Sequence, residues 1–121
     1  MTFKLNLSGH FNADLEVKGF VFPGTIQINP EKSFQENLES VTNFLKSQGV
    51  KSDSVVIVAL PGMSLLATIV TVALHGLTGT FPQIAPLVRS ESGEFVNREI
   101  VDLQTMRNHV CRNMREEMIS L

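Results

Sequence analysis

The strongest constraint on the fold is an unbroken apolar segment at residues 55–60, which read VVIVAL. A strand with one face in water alternates apolar and polar residues, whereas a strand that is apolar throughout is typical of a parallel sheet covered on both faces. Pro61 and Gly62 then turn the chain, and residues 63–74 are apolar and helix-forming. The segment therefore predicts a central strand, a tight turn and a largely buried helix in an α/β domain.

The same segment raises the question of a membrane span, because residues 55–77 are almost all apolar and about 20 such residues suffice to cross a bilayer. Pro61 and Gly62 interrupt the run, however, and no Lys or Arg lies close to either end. The first ten residues lack the apolar core of a secretory signal. We therefore expect a buried core segment, no membrane partner and a cytoplasmic protein.

Alternation and turn residues predict the other strands. Phe3, Leu5 and Leu7 alternate with Lys4 and Asn6, which predicts a first strand with the two polar residues on its wetter face. Residues 10–24 contain several Gly and Pro and are expected to be irregular. Further short strands are expected from apolar runs bounded by turn residues, at residues 25–29, 84–89 and 98–101.

Capping signals predict the remaining helices. Ser33 and Glu36 match a capping box that begins a helix over residues 33–48. Asp102 is expected to cap a final helix, whose buried stripe would comprise Met106, Val110, Met114 and Met118. This order predicts a single Rossmann-like α/β domain over residues 1–121, with a mostly parallel sheet and helices on both faces.

Composition narrows the classes of ligand. The formal net charge of −2 excludes a general basic surface for long nucleic acid, although a small anion can bind through helix N-termini and a few arginines. Cys111 is the only cysteine, which excludes an internal disulfide and a cysteine-based zinc site and fits a reducing compartment. The three histidines show no metal-ligand spacing. We expect no metal and no cofactor.

Candidate ligand-binding residues follow the predicted strands, because ligands of open parallel sheets bind beyond the carboxyl ends of the strands. These residues are Ser8, Gly9, His10, Pro61, Gly62, Met63, Ser64 and Arg89. The turn at residues 61–64 begins a helix whose free N–H groups can receive an anion, and Gly62 permits a close approach to the backbone. The turn lacks both G-x-G-x-x-G and the P-loop pattern, so a simple tight turn is an equally good interpretation.

Two further groups carry hydrogen-bonding chemistry. His10 follows a strand in a glycine-containing loop, where an imidazole can donate to a phosphate or act as a general base; the alternative is an exposed loop histidine. Gln104, Arg107 and Asn108 share one face of the final helix and could hold bases or phosphates. The alternative for these three is an ordinary solvated polar face.

Four segments, in order, resemble one known family. They are residues 5–10 (LNLSGH), 60–64 (LPGMS), 75–82 (HGLTGTFP) and 102–104 (DLQ) with Arg107 close behind. Together they resemble the CRISPR-associated Csx-fifteen family, small Rossmann-like accessory proteins of type III CRISPR systems. The chain departs from that pattern where residues 11–19 are short and broken instead of helical, and at Leu77, where a basic residue is common.

The resemblance implies binding of cyclic oligoadenylate, most often cyclic tetra-adenylate, and down-regulation of the signal by sequestering this messenger. An alternative is a metal-independent ring nuclease with His10 as the general base, and a further alternative is an interaction subunit without a small ligand. The resemblance also implies a homodimer or higher homo-oligomer, because a ring of four identical nucleotides matches a two-fold axis.

Overall fold

The computed structural model describes residues 1–120, and a four-stranded sheet organises them. The strands are β1 (Thr2–Asn6), β2 (Val55–Ala59), β3 (Gln83–Ile84), β4 (Leu87–Arg89), β5 (Phe95–Asn97) and β6 (Val101–Asp102). The sheet has the order β1-β2-β3-β6, in which β2 is parallel to β1 and to β3, and β6 is antiparallel to β3. Strands β4 and β5 form a separate antiparallel hairpin. The chain is therefore a mixed α/β fold with a mostly parallel sheet.

The helices are α1 (Ala13–Val17), α2 (Phe34–Ser47), α3 (Ser64–Thr78), α4 (Leu103–Met106), a π-helical turn (Arg107–Cys111) and α5 (Arg112–Ser120). The last three are continuous, and we call them the C-terminal helix. The expected capping box is confirmed, because Ser33 Oγ accepts from the Glu36 N–H (3.1 Å) and Glu36 Oε1 accepts from the Ser33 N–H (3.2 Å). Asp102 caps α4 as expected, accepting from the Thr105 N–H. No helix among residues 1–120 is long and apolar enough to cross a lipid bilayer.

Strand β2 is central, as the apolar segment predicts, and its alternate side chains enter two different cores. Val56 and Val58 belong to a cluster that also contains the buried side chains of α2 and α3. Ala59 belongs to a second cluster, with Leu15 of α1 and Ala85, against which Ile57 packs. Successive residues of a strand point to opposite sides of the sheet, so each side of β2 is covered by a different set of elements.

Three expected strands differ from the structure. Residues 25–29 were expected to form a strand but pair with no strand within residues 1–120. Ile26 and Ile28 instead pack against the larger core. The buried side-chain amide of Asn37 forms hydrogen bonds with the backbone of Asn29. The segment at 84–89 is divided between β3 and β4, because Pro86 has no N–H to continue a ladder. The segment at 98–101 contributes only its last residue, to β6.

Three further expectations are wrong. Asn6 does not lie on a wet face, since it is 2% exposed and its backbone N–H pairs with Val21 beside β1. Residues 10–24 contain a short helix, α1, which Asn12 caps.

The apolar residues of the C-terminal helix are not buried, and this helix has substantial contact with only one other described element, β6, from which it begins. Their exposed fractions are 48% for Met106, 44% for Val110, 59% for Met114 and 74% for Met118.

Candidate functional site

A cleft of about 740 Å³ opens at the carboxyl ends of the parallel strands. Its floor is formed by residues that follow or end the strands, namely Ser8 after β1, Leu60 and Gly62 after β2, and Ile84 of β3. One side is the start of α1, and the roof is the β4–β5 hairpin, including Phe95. A volume of this size is in the ordinary range for small-molecule sites, which is about 300–1,000 Å³.

The loop after β1 is fixed by the buried amide of Asn6. Asn6 Nδ2 donates to the carbonyl oxygen of His10 (2.9 Å), and Asn6 Oδ1 accepts from both the backbone N–H (3.1 Å) and the hydroxyl (2.6 Å) of Ser8. Gly9 adopts the left-handed conformation, with φ of 87°, which closes the loop. One buried side chain therefore orders the backbone that carries Ser8 and His10 into the cleft.

The imidazole of His10 is available to a ligand. His10 lines the cleft and is exposed, and its ring makes no hydrogen bond or ion pair within residues 1–120. A neutral imidazole offers one donor and one acceptor, and a protonated one offers two donors. The side chain can therefore contact a phosphate or a hydroxyl group that enters the cleft.

The turn between β2 and α3 leaves backbone donors open. Met63 is the N-cap of α3 and provides no side-chain cap. The amides of Ser64, Leu65 and Leu66 have no acceptor among the described residues, since the first helical bond is from Ala67 to Met63. Gly62 lines the cleft with no atom within 4 Å of the place where a Cβ would lie. The turn thus combines free N–H groups with open space, an arrangement that suits an anion.

Polar bonds from α1 hold the hairpin above the cleft. Asn12 Nδ2 donates to the carbonyl oxygen of Phe95 (3.0 Å), and the Asp14 carboxylate accepts from the backbone N–H of Asn97 (2.7 Å). Lys18 Nζ donates to Asp14 (3.3 Å) and to the carbonyl oxygen of Asn97. The Asn97 N–H and the Lys18 ammonium together hold the pKa of Asp14 below its ordinary value of 3.8, against an opposing effect of desolvation. The carboxylate is therefore charged at neutral pH.

The cleft is mostly apolar, and its polar residues come both from the loop after β1 and from α1 and the hairpin. Phe11 and Phe95 line it and are 60% and 50% exposed, so both rings present open surface to a ligand. Asp14 belongs to α1 and Glu94 to the hairpin, whereas Ser8 and His10 follow β1. Among residues 1–120, no group of three His, Cys, Asp or Glu side chains is arranged to hold a metal ion. The arrangement suits a ligand that has both a planar ring and an anionic group.

The structure brings some of the expected site residues together. Ser8, His10 and Gly62 line the cleft. The other residues of the same two loops do not line it; they are Gly9, Pro61, Met63 and Ser64. Arg89 lies on the hairpin, where its guanidinium stacks over the Phe95 ring at 5.1 Å from the centroid, a cation–π arrangement. It therefore supports one of the aromatic walls and does not line the cleft itself.

Gln104, Arg107 and Asn108 form a cluster of their own on the C-terminal helix. Asn108 Oδ1 accepts from Arg107 (3.1 Å) and, at 3.5 Å, from Gln104. These contacts bring the three side chains together. They lie outside the lining of the cleft, so a contact with the same ligand stays a prediction.

Several residues of the site were missed in the sequence. They are Phe11, Asn12, Asp14, Phe95 and Val96, all of which line the cleft. A signal did exist for α1, because Asn12 is a preferred N-cap and its side chain accepts from the Leu15 N–H (3.0 Å). No local sequence pattern in the hairpin predicts that it packs beside the ends of the parallel strands and lines the cleft.

No family model, no curated protein and no solved structure matches the chain. The function is therefore inferred from the geometry of the cleft together with the sequence.

Proposed function

We propose that this protein binds cyclic oligoadenylate, specifically cyclic tetra-adenylate, and lowers type III CRISPR signalling in the cytoplasm by sequestering that messenger. The observation that carries the proposal is the cleft of about 740 Å³ where the Ser8–His10 loop and the Gly62 turn meet. The same proposal includes a Rossmann-like fold for this domain. It is supported by the position of the cleft at the carboxyl ends of parallel strands.

The phosphate groups would lie on the side of the strand ends. There the His10 imidazole lines the cleft, and the open amides of Ser64 and Leu65 begin α3 in the adjoining turn. Backbone amides at a helix N-terminus bind anions without any net positive charge on the protein. This explains how a chain with a net charge of −2 can hold a polyanion.

The adenine bases would lie against the two phenylalanine rings that line the cleft. Phe11 and Phe95 offer exposed ring faces, and stacking of a base on an aromatic side chain contributes about 1–3 kcal/mol. The carboxylates of Asp14 and Glu94 disfavour phosphate but can accept a hydrogen bond from the exocyclic amine of adenine. The distribution of charge in the cleft therefore favours one orientation of the nucleotide.

The C-terminal helix would join two copies. In a regular α-helix, residues four apart are offset by about 40°, so Met106, Val110, Met114 and Met118 would drift by about 120° around it. The π-helical turn, Arg107–Cys111, takes in one more residue per turn and rotates the later residues back. The four side chains are thereby aligned on one side of the helix.

The size of this face fits a second copy of the chain. Its four apolar side chains expose on the order of 400 Å², about half of what one partner buries in a standard interface, before neighbouring side chains are counted. A two-fold dimer also has two equivalent clefts related by its axis, in keeping with the symmetry of a ring of four identical nucleotides.

The experiment that tests the function is incubation with radiolabelled cyclic tetra-adenylate, followed by a native gel and product chromatography. Sequestration predicts a shifted band from which the intact ring is recovered. His10→Ala should weaken the shift, whereas His109→Ala, an exposed histidine on the C-terminal helix, should leave it unchanged. Absence of both a shift and a cleavage product at micromolar protein would leave an interaction subunit without a small ligand as the remaining interpretation.

Ring cleavage is the second candidate, and the free imidazole of His10 inside the cleft favours it. In that reaction the ribose 2′-oxygen would attack the adjacent phosphorus and its proton would pass to His10. The bond from phosphorus to the 5′-oxygen would break, and that oxygen would take a proton from a water molecule, whose hydroxide would be neutralised by the proton held on His10. The products are a 2′,3′-cyclic phosphate and a 5′-hydroxyl, which chromatography separates from the intact ring.

A further inference from the structure

The β4–β5 hairpin is held over the cleft by side chains of α1 and not by the main sheet. Its two strands pair only with each other within residues 1–120. Only its first residue, Leu87, packs against a core cluster, while Phe95 and Val88 are about half exposed. The position of the hairpin therefore depends on a small number of polar contacts.

Those contacts converge on Asn97, which is 6% exposed. Its side-chain amide donates to the carbonyl oxygens of Pro86 (3.0 Å) and Glu99 (2.8 Å), the residues at the two ends of the hairpin. Its backbone N–H donates to Asp14, and its carbonyl and side-chain oxygens accept from Lys18. Asn97 thus ties both ends of the hairpin together and fastens them to α1.

We infer that Asp14, Lys18 and Asn97 form a latch that positions the hairpin as the roof of the cleft and so controls how long a bound nucleotide is retained. This inference rests on the proposed function for the identity of the ligand, although the latch itself does not require a ligand. Leu15 between the two charged residues is fully buried, so α1 is a fixed anchor. When the latch is broken, the hairpin should swing about residues 86 and 98–100 while the strands of the main sheet stay in place.

The latch is tested without ligand by ¹⁵N NMR of the full chain. In Lys18→Met, which keeps the aliphatic stem, and in Asp14→Ala, the Asn97 amide should exchange with solvent about tenfold faster. The resonances of residues 87–97 should shift together, and those of β1 and β2 should not. Glu16→Gln is the matched control, because Glu16 is an exposed acid on the same helix with no bond to the hairpin.

The consequence for retention is tested with fluorescent cyclic tetra-adenylate. Lys18→Met should raise the dissociation rate about tenfold without slowing association, because the roof no longer covers the ligand. Failure of the wild type to bind would reject the proposed ligand, while the NMR measurement would still decide on the latch. Unchanged exchange at Asn97 in both variants, or an equal effect of Glu16→Gln, would overturn the inference.

Discussion

The Asp14 carboxylate accepts a hydrogen bond of 2.7 Å from the backbone N–H of Asn97, although 83 positions separate the two residues in the chain. The bond joins a helix that is anchored to the sheet by the buried Leu15 to a hairpin that has no ladder with the sheet. Lys18 bonds both partners and offsets the charge of the carboxylate. The shape of the cleft therefore depends on charged hydrogen bonds that can be removed one at a time.

The first prediction concerns pH. Because the pKa of Asp14 in the folded protein lies below 3.8, the charged bond is complete above that value and is lost as pH falls through the lowered pKa. The Asn97 amide shift should be constant from about pH 8 to pH 5 and should change only at more acidic pH. Asp14→Asn should abolish this change. A transition of the Asn97 amide near neutral pH would contradict the role of Asp14.

The second prediction concerns Asn6. Replacement by Ala removes the acceptor of Ser8 and the donor to His10, so the free energy of unfolding should fall by about 1–3 kcal/mol. The affinity for cyclic tetra-adenylate should fall as well, because the loop is no longer ordered. Urea unfolding and a binding titration measure the two effects. Asn43→Ala, at an exposed position of α2, is the control and should change neither.

The third prediction concerns Phe11. Phe11→Ala should weaken binding of the messenger about tenfold or more through lost base stacking, with little change in stability, because the ring is 60% exposed. Phe34→Ala removes a ring that is 48% exposed on α2, away from the cleft, and should leave affinity unchanged. Equal affinities of the two variants would mean that Phe11 does not stack on the ligand.

The fourth prediction concerns assembly. Met114→Glu places a charge in the middle of the apolar face of the C-terminal helix and should convert a dimer to a monomer in sedimentation velocity. Thr105→Glu adds the same charge one residue before Met106, about 100° around the helix, and should leave the dimer intact. A wild-type chain that sediments as a monomer at high concentration contradicts the dimer directly.

The sequence was most informative where local chemistry decided the structure. The apolar strand β2, the capping box at Ser33 and the cap at Asp102 depend on residues within a few positions of one another, and all three are confirmed. Of the turn after β2, Gly62 lines the cleft, because the carboxyl ends of parallel strands meet at one edge of the sheet, whereas Pro61, Met63 and Ser64 do not line it.

Structural features that depend on contacts between residues far apart in the chain could not be predicted from local sequence patterns. The methionine pattern of the C-terminal helix indicates an apolar face. The pattern does not reveal whether that face packs against other parts of the same chain, and in the structure it is exposed. The alternating pattern of β1 predicts that Asn6 is exposed to solvent. Asn6 is buried instead, because its side-chain amide forms hydrogen bonds with Ser8 and His10 in the following loop. The roof of the cleft was missed because residues 12–18 and 95–97 are far apart in the sequence.

The most direct test of the central claim is an NMR titration of the full chain with unlabelled cyclic tetra-adenylate. We expect saturable shifts centred on Ser8, His10, Gly62 and Phe95, with an end point of one ring per two chains. Amides of α2 on the far side of the sheet should not shift. A titration that leaves the cleft resonances unchanged at millimolar ring, or moves only those of another surface, would contradict the proposed site.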